Sequence, residues 1–240
     1  MRTLFPIVLA VCAGFLMTIA PLSAQARVVG SGVSKTEARS VSDFDAIETS
    51  GSMDLAIRQA AKEALEVQAD DNLLPLIETV VENRTLKIRF KRGESVSHRA
   101  PVKVKIDVVR LNAVSSSGSG DVAVDGLKTP ALKIALSGSS DAQVKDLATD
   151  SFELKISGSS DVRGTGTAKQ VKLSISGSGD AKLGDLVADD VQIRIAGSGD
   201  ADVTANKSLD VSIAGSGDVK YGGNPALKSS TAGSGTIRRR

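Results

Sequence analysis

From Leu132 onward the chain places apolar residues at every second position in short runs, and each run ends in the same small-residue corner, Ser-Gly-Ser-x-Asp or a close variant. Six residues before the first Gly of each corner stand Leu132, Phe152, Val171, Val191, Leu209 and Leu227. Four before it stand Ile134, Leu154, Leu173, Ile193 and Val211, and two before it Leu136, Ile156, Ile175, Ile195 and Ile213. Lys133, Lys155, Lys172 and Arg194 fall between them. That alternation predicts a half-buried strand in every copy, with the basic residues facing solvent. A shorter alternating run follows each corner, as in Val122 and Val124 or Ala201 and Val203, and Leu127, Leu147 and Leu186 supply a third inward point.

The corner glycines are Gly118, Gly138, Gly158, Gly177, Gly197, Gly215 and Gly233, so the steps are 20, 20, 19, 20, 18 and 18 residues. A unit of that length cannot bury a core alone and has to stack on its own copies. Three short faces per circuit predict an all-β fold, a parallel β-helix, right-handed as crossover connections are by default. At about 4.8 Å per coil, six steps span about 29 Å. Ser229 and Thr231 stand where Val211 and Ile213 stood one coil earlier, a polar last coil that protects the open edge of the stack.

An earlier copy, Ser50–Asp54 with Phe44–Glu48 before it and Leu55–Ile57 after it, is separated from the others by an insertion. The insertion predicts a strand at Ala64–Ala69 and a helical turn near Leu73–Ile77 capped by Asp71 or Asn72. A hairpin follows over Glu78–Val81 and Thr85–Phe90, with Leu86, Ile88 and Phe90 inward, then a charged loop at Lys91–Ala100 and a strand at Pro101–Val109.

Residues 1–26 read as a secretory signal peptide: Arg2, an apolar run through Leu4–Ala20, and Ala24-Gln25-Ala26 as the cleavage site. Residues 27–43 are a polar linker or lead-in strand, 44–237 the β-helix domain, and 238–240 a basic tail. Cys12 is the one cysteine and leaves with the leader, so the mature chain has neither disulfide nor thiolate chemistry. No transmembrane segment is expected after cleavage, and the protein is expected in the periplasm, at the outer membrane or outside the cell.

Aromatics make up 2% of the 240 residues and there is no Trp, which favours thin stacked layers. The formal charge of +2 becomes +1 without Arg2 and −2 once Arg238–Arg240 are also set aside. The body therefore has no field to attract nucleic acid.

The chemistry at the corner centres on a column of carboxylates: Asp121, Asp141, Asp161, Asp180, Asp200 and Asp218. Calcium is one reading, but each coil offers a single carboxylate where Ca²⁺ takes six to eight oxygens. Asp bonding to the backbone of its own corner is the other, with water screening the column. The Ser-Gly-Ser-Gly run is no phosphate loop, since Lys-Ser/Thr and a following helix are missing. His98, the only His, sits in the charged loop with no second His or Cys to partner it and reads as a solvated residue. No catalytic, cofactor-binding or metal-binding residue is assigned, and no cofactor is expected. A polysaccharide lyase or hydrolase on a β-helix is the alternative function, disfavoured because only Phe152 and Tyr221 are aromatic after Gly118 and no paired carboxylates flank a cleft.

Several motifs occur in order: Phe44-Asp45-Ala46-Ile47-Glu48-x-Ser50-Gly51-Ser52-x-Asp54, Ala69-Asp70-x-Asn72-Leu73-Leu74-Pro75-x-Ile77-Glu78-Thr79, Thr85-Leu86-Lys87-Ile88, the Ser-Gly-Ser-Gly-Asp series, and Tyr221-x-Gly223-x-Pro225. Together they resemble the head GIN domain family of putative auto-transporter adhesins, from about Phe44 to Ile237. The resemblance implies a β-helical domain exported by bacteria with a role in adhesion. It carries over no ligand, catalytic residue or cofactor. No membrane-barrel domain is expected after Arg240. The expected partner is a protein or a glycan of the cell envelope or surface.

Overall fold

The computed structural model describes residues 27–240, so the expected signal peptide at 1–26 lies outside the described residues. The N-terminal part contains β1 (Val28–Val29), β2 (Ser34–Arg39), β3 (Ala46–Gly51), β4 (Met53–Gln59), β5 (Ala64–Asp70), a 3₁₀ turn at Leu74–Leu76, β6 (Ile77–Glu82), β7 (Thr85–Phe90), β8 (Val96–Ser97) and β9 (Val102–Val108). The repeats supply β10 (Ala113–Gly118), β11 (Val122–Asp125), β12 (Lys128–Gly138), β13 (Ala142–Gly158), β14 (Val162–Gly177), β15 (Ala181–Gly197), β16 (Ala201–Gly215), β17 (Val219–Gly222), β18 (Ala226–Gly233) and β19 (Ile237–Arg239).

Stacked parallel coils form a β-solenoid. Gly118 pairs with Gly138, then Gly158, Gly177, Gly197, Gly215 and Gly233 follow in register. Gly51 pairs with Gly118 on the other side, so the early copy lies directly against the repeats despite the intervening insertion. The alternating residues make the inward rungs. Ile47, Val114, Ile134, Leu154, Leu173, Ile193 and Val211 form one buried column, and Leu127, Leu147 and Leu186 are buried as the spacing requires. Between Leu147 and Leu186 the rung is Gly166, and the neighbouring inward position is Gly164. A Cβ on Gly164 would lie 2.7 Å from Leu183 Cδ2, so the large side chain of the next coil fills the space this coil leaves.

The first end of the stack is closed by antiparallel strands. β5 runs antiparallel to β9 and to β2, and β6 and β7 form the expected hairpin. Its turn, Asn83-Arg84, has φ of 50° and 61°, as a two-residue hairpin turn matched to strand twist requires. Leu86 and Ile88 are buried, while Phe90 is partly covered. The segment before Phe44 is ordered strand: Arg39 of β2 donates from Nη1 to Ile77 O at 2.5 Å and from Nη2 to Leu74 O at 2.7 Å, tying β2 to the 3₁₀ turn.

The cap of that turn differs from expectation. Leu73 occupies the cap position without a side-chain bond. Asp71 and Asn72 are drawn off by the N-terminal segment: Asp71 Oδ1 accepts from Ser31 Oγ at 2.5 Å, Asn72 Oδ1 from Ser31 N–H at 2.9 Å, and Asn72 Nδ2 donates to Val29 O at 2.9 Å.

At the other end the last coil differs from its predecessors. All residues of β18 are exposed, including Ser229 and Thr231. Leu227, expected as an inward rung, is 44% exposed because among the described residues no further strand lies against β18.

Candidate binding surface

Each corner is built from two kinds of contact between coils. The marker glycines adopt positive φ, and a Cβ on Gly177 would sit 2.3 Å from Gly158 O. Only glycine allows the backbones to approach so closely. The close approach lets Ser N–H reach the marker carbonyl one coil back, as Ser139 does to Gly118 O at 3.0 Å. Beyond the Asp, the following N–H reaches the next coil's Asp carbonyl, as Val122 does to Asp141 O at 2.8 Å.

Between these bonds the N–H of the Asp itself is served by a side chain. Asp54 Oδ1 accepts the Asp121 N–H at 3.2 Å, Asp121 that of Asp141 at 3.3 Å, and Asp141 that of Asp161 at 3.1 Å. Asp161 serves Asp180 at 3.1 Å, Asp180 serves Asp200 at 3.0 Å, and Asp200 serves Asp218 at 2.8 Å. The carboxylate therefore caps the corner of the next coil and not, as the sequence suggested, its own. The column stops at Thr236, whose hydroxyl and N–H both donate to Asp218 Oδ1 and hold that carboxyl below its ordinary value. Stacked like charge is offset by these amide bonds and by exposure to water. Among the described residues no three of His, Cys, Asp and Glu converge as metal ligands would.

The strands that follow the corner present a groove. About 480 Å³ in volume, it is lined by Asp54, Asp121, Asp141 and Asp161 together with Lys103, Lys105, Arg163 and Gln143. Its floor is small: Ala56 and Ala123 are the outward residues where later coils carry Gln143, Arg163 and Lys182. A second groove of about 580 Å³ shares Ala56, Lys105 and Ala123 and extends over Ala64, Glu66, Arg58 and Asp107. Arg58 donates to Asp107 from Nε at 2.6 Å and from Nη2 at 3.0 Å, and holds the Asp107 carboxyl below the usual range. The two grooves make one trough of mixed charge with an alanine floor, suited to a polar, extended ligand. The corner carboxylates of the first groove share a single column, while Glu66 and Asp107 stand in the second groove, where Asp107 is held by Arg58. The sequence reading did not find this trough. Its signal was the two successive alanines at outward positions.

His98 is exposed beyond β8. The one carboxylate whose value its charge touches, Asp70, is buried and fully engaged: Oδ1 accepts Gly32 N–H at 2.7 Å, and Oδ2 accepts Arg99 and Ala100 N–H at 2.9 and 3.1 Å. Burial pushes the Asp70 carboxyl up, but the three amides and His98 outweigh it and hold the group below its ordinary value. Asp70 thus serves the backbone of the N-terminal segment and of the loop after β8.

Comparison with known proteins agrees with this geometry. Residues 43–225 match the family described as "Putative auto-transporter adhesin, head GIN domain". The chain belongs to that family. Among solved structures, this head GIN domain resembles a putative adhesin from Bacteroides fragilis with a TM-score of 0.84 and 28% identity, covering 89% of this chain and 100% of that one. A putative lipid binding protein from Parabacteroides distasonis gives a TM-score of 0.75 at 27% identity, covering 90% and 100%. A putative adhesin from the same species gives 0.73 at 27% identity, also covering 90% and 100%. No curated protein matches the chain significantly. The family and these neighbours are named for binding and not for a reaction. Among the described residues no helix is long and apolar enough to cross a membrane.

Proposed function

We propose that this head GIN domain is an exported, non-enzymatic binding protein of the bacterial envelope, freed of residues 1–26 as a leader, that engages a protein or glycan along the trough over Ala56 and Ala123. The trough carries the reading: it crosses several coils, and its rim offers carboxylates and cations at coil spacing above a floor small enough to admit a chain. A rigid array of this kind favours extended ligands that meet the same chemistry at each step. The charged rim favours a polar ligand over an acyl chain.

Cell fractionation with protease accessibility tests the export and surface parts of this reading. The tagged protein is expected in the envelope fraction, shortened at its N-terminus. Recovery from the cytoplasm with residues 1–26 intact would contradict it. Turnover of an envelope glycan by the purified protein, abolished by one carboxylate substitution that leaves the fold intact, would favour the polysaccharide-acting enzyme instead.

A further inference from the structure

We propose that the last coil of the solenoid is a second docking surface, which takes an extended acidic polypeptide segment as an added strand. This inference does not rest on the trough and concerns the end of the stack. Among the described residues β18 pairs only with β16, and β19 only with β17. One edge of each therefore presents unpaired N–H and C=O groups, a template for strand addition. Every residue of β18 is exposed, and Leu227 is 44% exposed where Leu209, its rung in the preceding coil, is buried. A strand laid in register would cover Leu227 as each coil covers the one before it.

Charge selects the occupant. Between Arg27 and Asp218 there are 24 Lys and Arg against 28 Asp and Glu, whereas Val219–Arg240 holds five Lys and Arg and no carboxylate side chain. Arg240 is committed, its Nη2 donating to Thr204 Oγ1 at 2.6 Å and its Nε lying 3.2 Å from Asp202 Oδ1. Lys220, Lys228, Arg238 and Arg239 are exposed, and among the described residues none of them forms an ion pair. A second copy meeting this end with its own would set cation against cation, so the edge is closed to itself. An acidic strand meets no such barrier. With side chains alternating, its apolar residues would extend the Leu227 column while its carboxylates lie beside Lys228. An anionic membrane would meet the charge but would make no use of the open edge.

The test uses the purified protein and a labelled ten-residue peptide alternating Val and Glu, read by fluorescence anisotropy. Saturable binding is expected, with hydrogen exchange slowed across Ala226–Gly233. It should weaken about tenfold or more in the Lys228→Glu, Arg238→Glu, Arg239→Glu variant. The same peptide with Lys for Glu, or N-methylated at alternate amides, should not bind the unaltered protein. Absence of binding, equal binding of either control peptide, or binding only to phosphatidylglycerol vesicles would overturn the proposal. Because the control peptides act on the unaltered protein, the result stands even if the triple variant folds poorly.

Discussion

Asp200 Oδ1 accepts the backbone N–H of Asp218 at 2.8 Å, across the gap between one coil and the next. The bond explains why an acidic residue recurs at a place where like charges stack. A carboxylate is an acceptor only, so it suits a backbone donor that the corner has separated from any carbonyl. At Thr236 the position still donates, by N–H and by hydroxyl, to the carboxylate one coil back, Asp218. Replacing Asp180 with Ala should leave the Asp200 N–H to water and lower stability by about 1 kcal/mol. Asp180→Asn keeps an acceptor oxygen and should cost less. Denaturant melts of the two variants check the order; equal losses would contradict it.

The marker glycines should tolerate no side chain. Gly177 has φ of 128°, and a Cβ there would meet Gly158 O at 2.3 Å. Gly177→Ala should cost about 1–3 kcal/mol for the backbone conformation alone, and more for the overlap. Gly126 has φ of 62° with nothing within 4 Å of an added Cβ. Gly126→Asn should stay within about 0.5 kcal/mol of the unaltered protein. Thermal melts showing the two substitutions alike would refute the distinction.

Much of the solenoid was legible in the sequence because each coil repeats the same local requirements. Gly51 and Gly118 share a corner motif that marked the early copy as a repeat, and the structure sets the two side by side across the insertion. What the insertion builds was harder to foresee. Whether Asp71 and Asn72 cap a turn or hold Ser31 depends on where the N-terminal segment lies, and nothing local encodes that. Leu227 fits its column by spacing, yet a column residue is buried only when another coil follows. The trough escaped notice because alanines at outward positions are unremarkable singly and form a floor only when Ala56 and Ala123 are stacked.

A buried hydroxyl gives a stabilising prediction. Thr49 is 2% exposed, and its Oγ1 finds no partner among the described residues. Thr49→Val keeps the shape and removes the unpaired group, and should raise stability by about 1 kcal/mol. A lower melting temperature would indicate a hydrogen bond at this hydroxyl.

Asp70 should act as an acid-sensitive latch on the N-terminal segment. Its folded value lies below the unfolded one, so its contribution is present above about pH 4 and is lost as pH falls through the folded value. The protection of the Gly32, Arg99 and Ala100 amides, relative to their intrinsic exchange rates at each pH, should fall together in that acid range. Asp70→Asn, which turns an amide N–H₂ toward backbone donors, should release the same amides at neutral pH. Protection that stays unchanged down to the acid unfolding of the whole protein would contradict the latch.

The central claim, that the trough is the binding face, is tested most directly by saturation binding of labelled protein to isolated envelopes, with and without Ala56→Arg and Ala123→Arg together. Both alanines are exposed, so the substitutions should fill the trough without disturbing the inward rungs. The account predicts saturable binding by the unaltered protein and its loss in the double variant at an unchanged melting temperature. Equal binding by both proteins would contradict it.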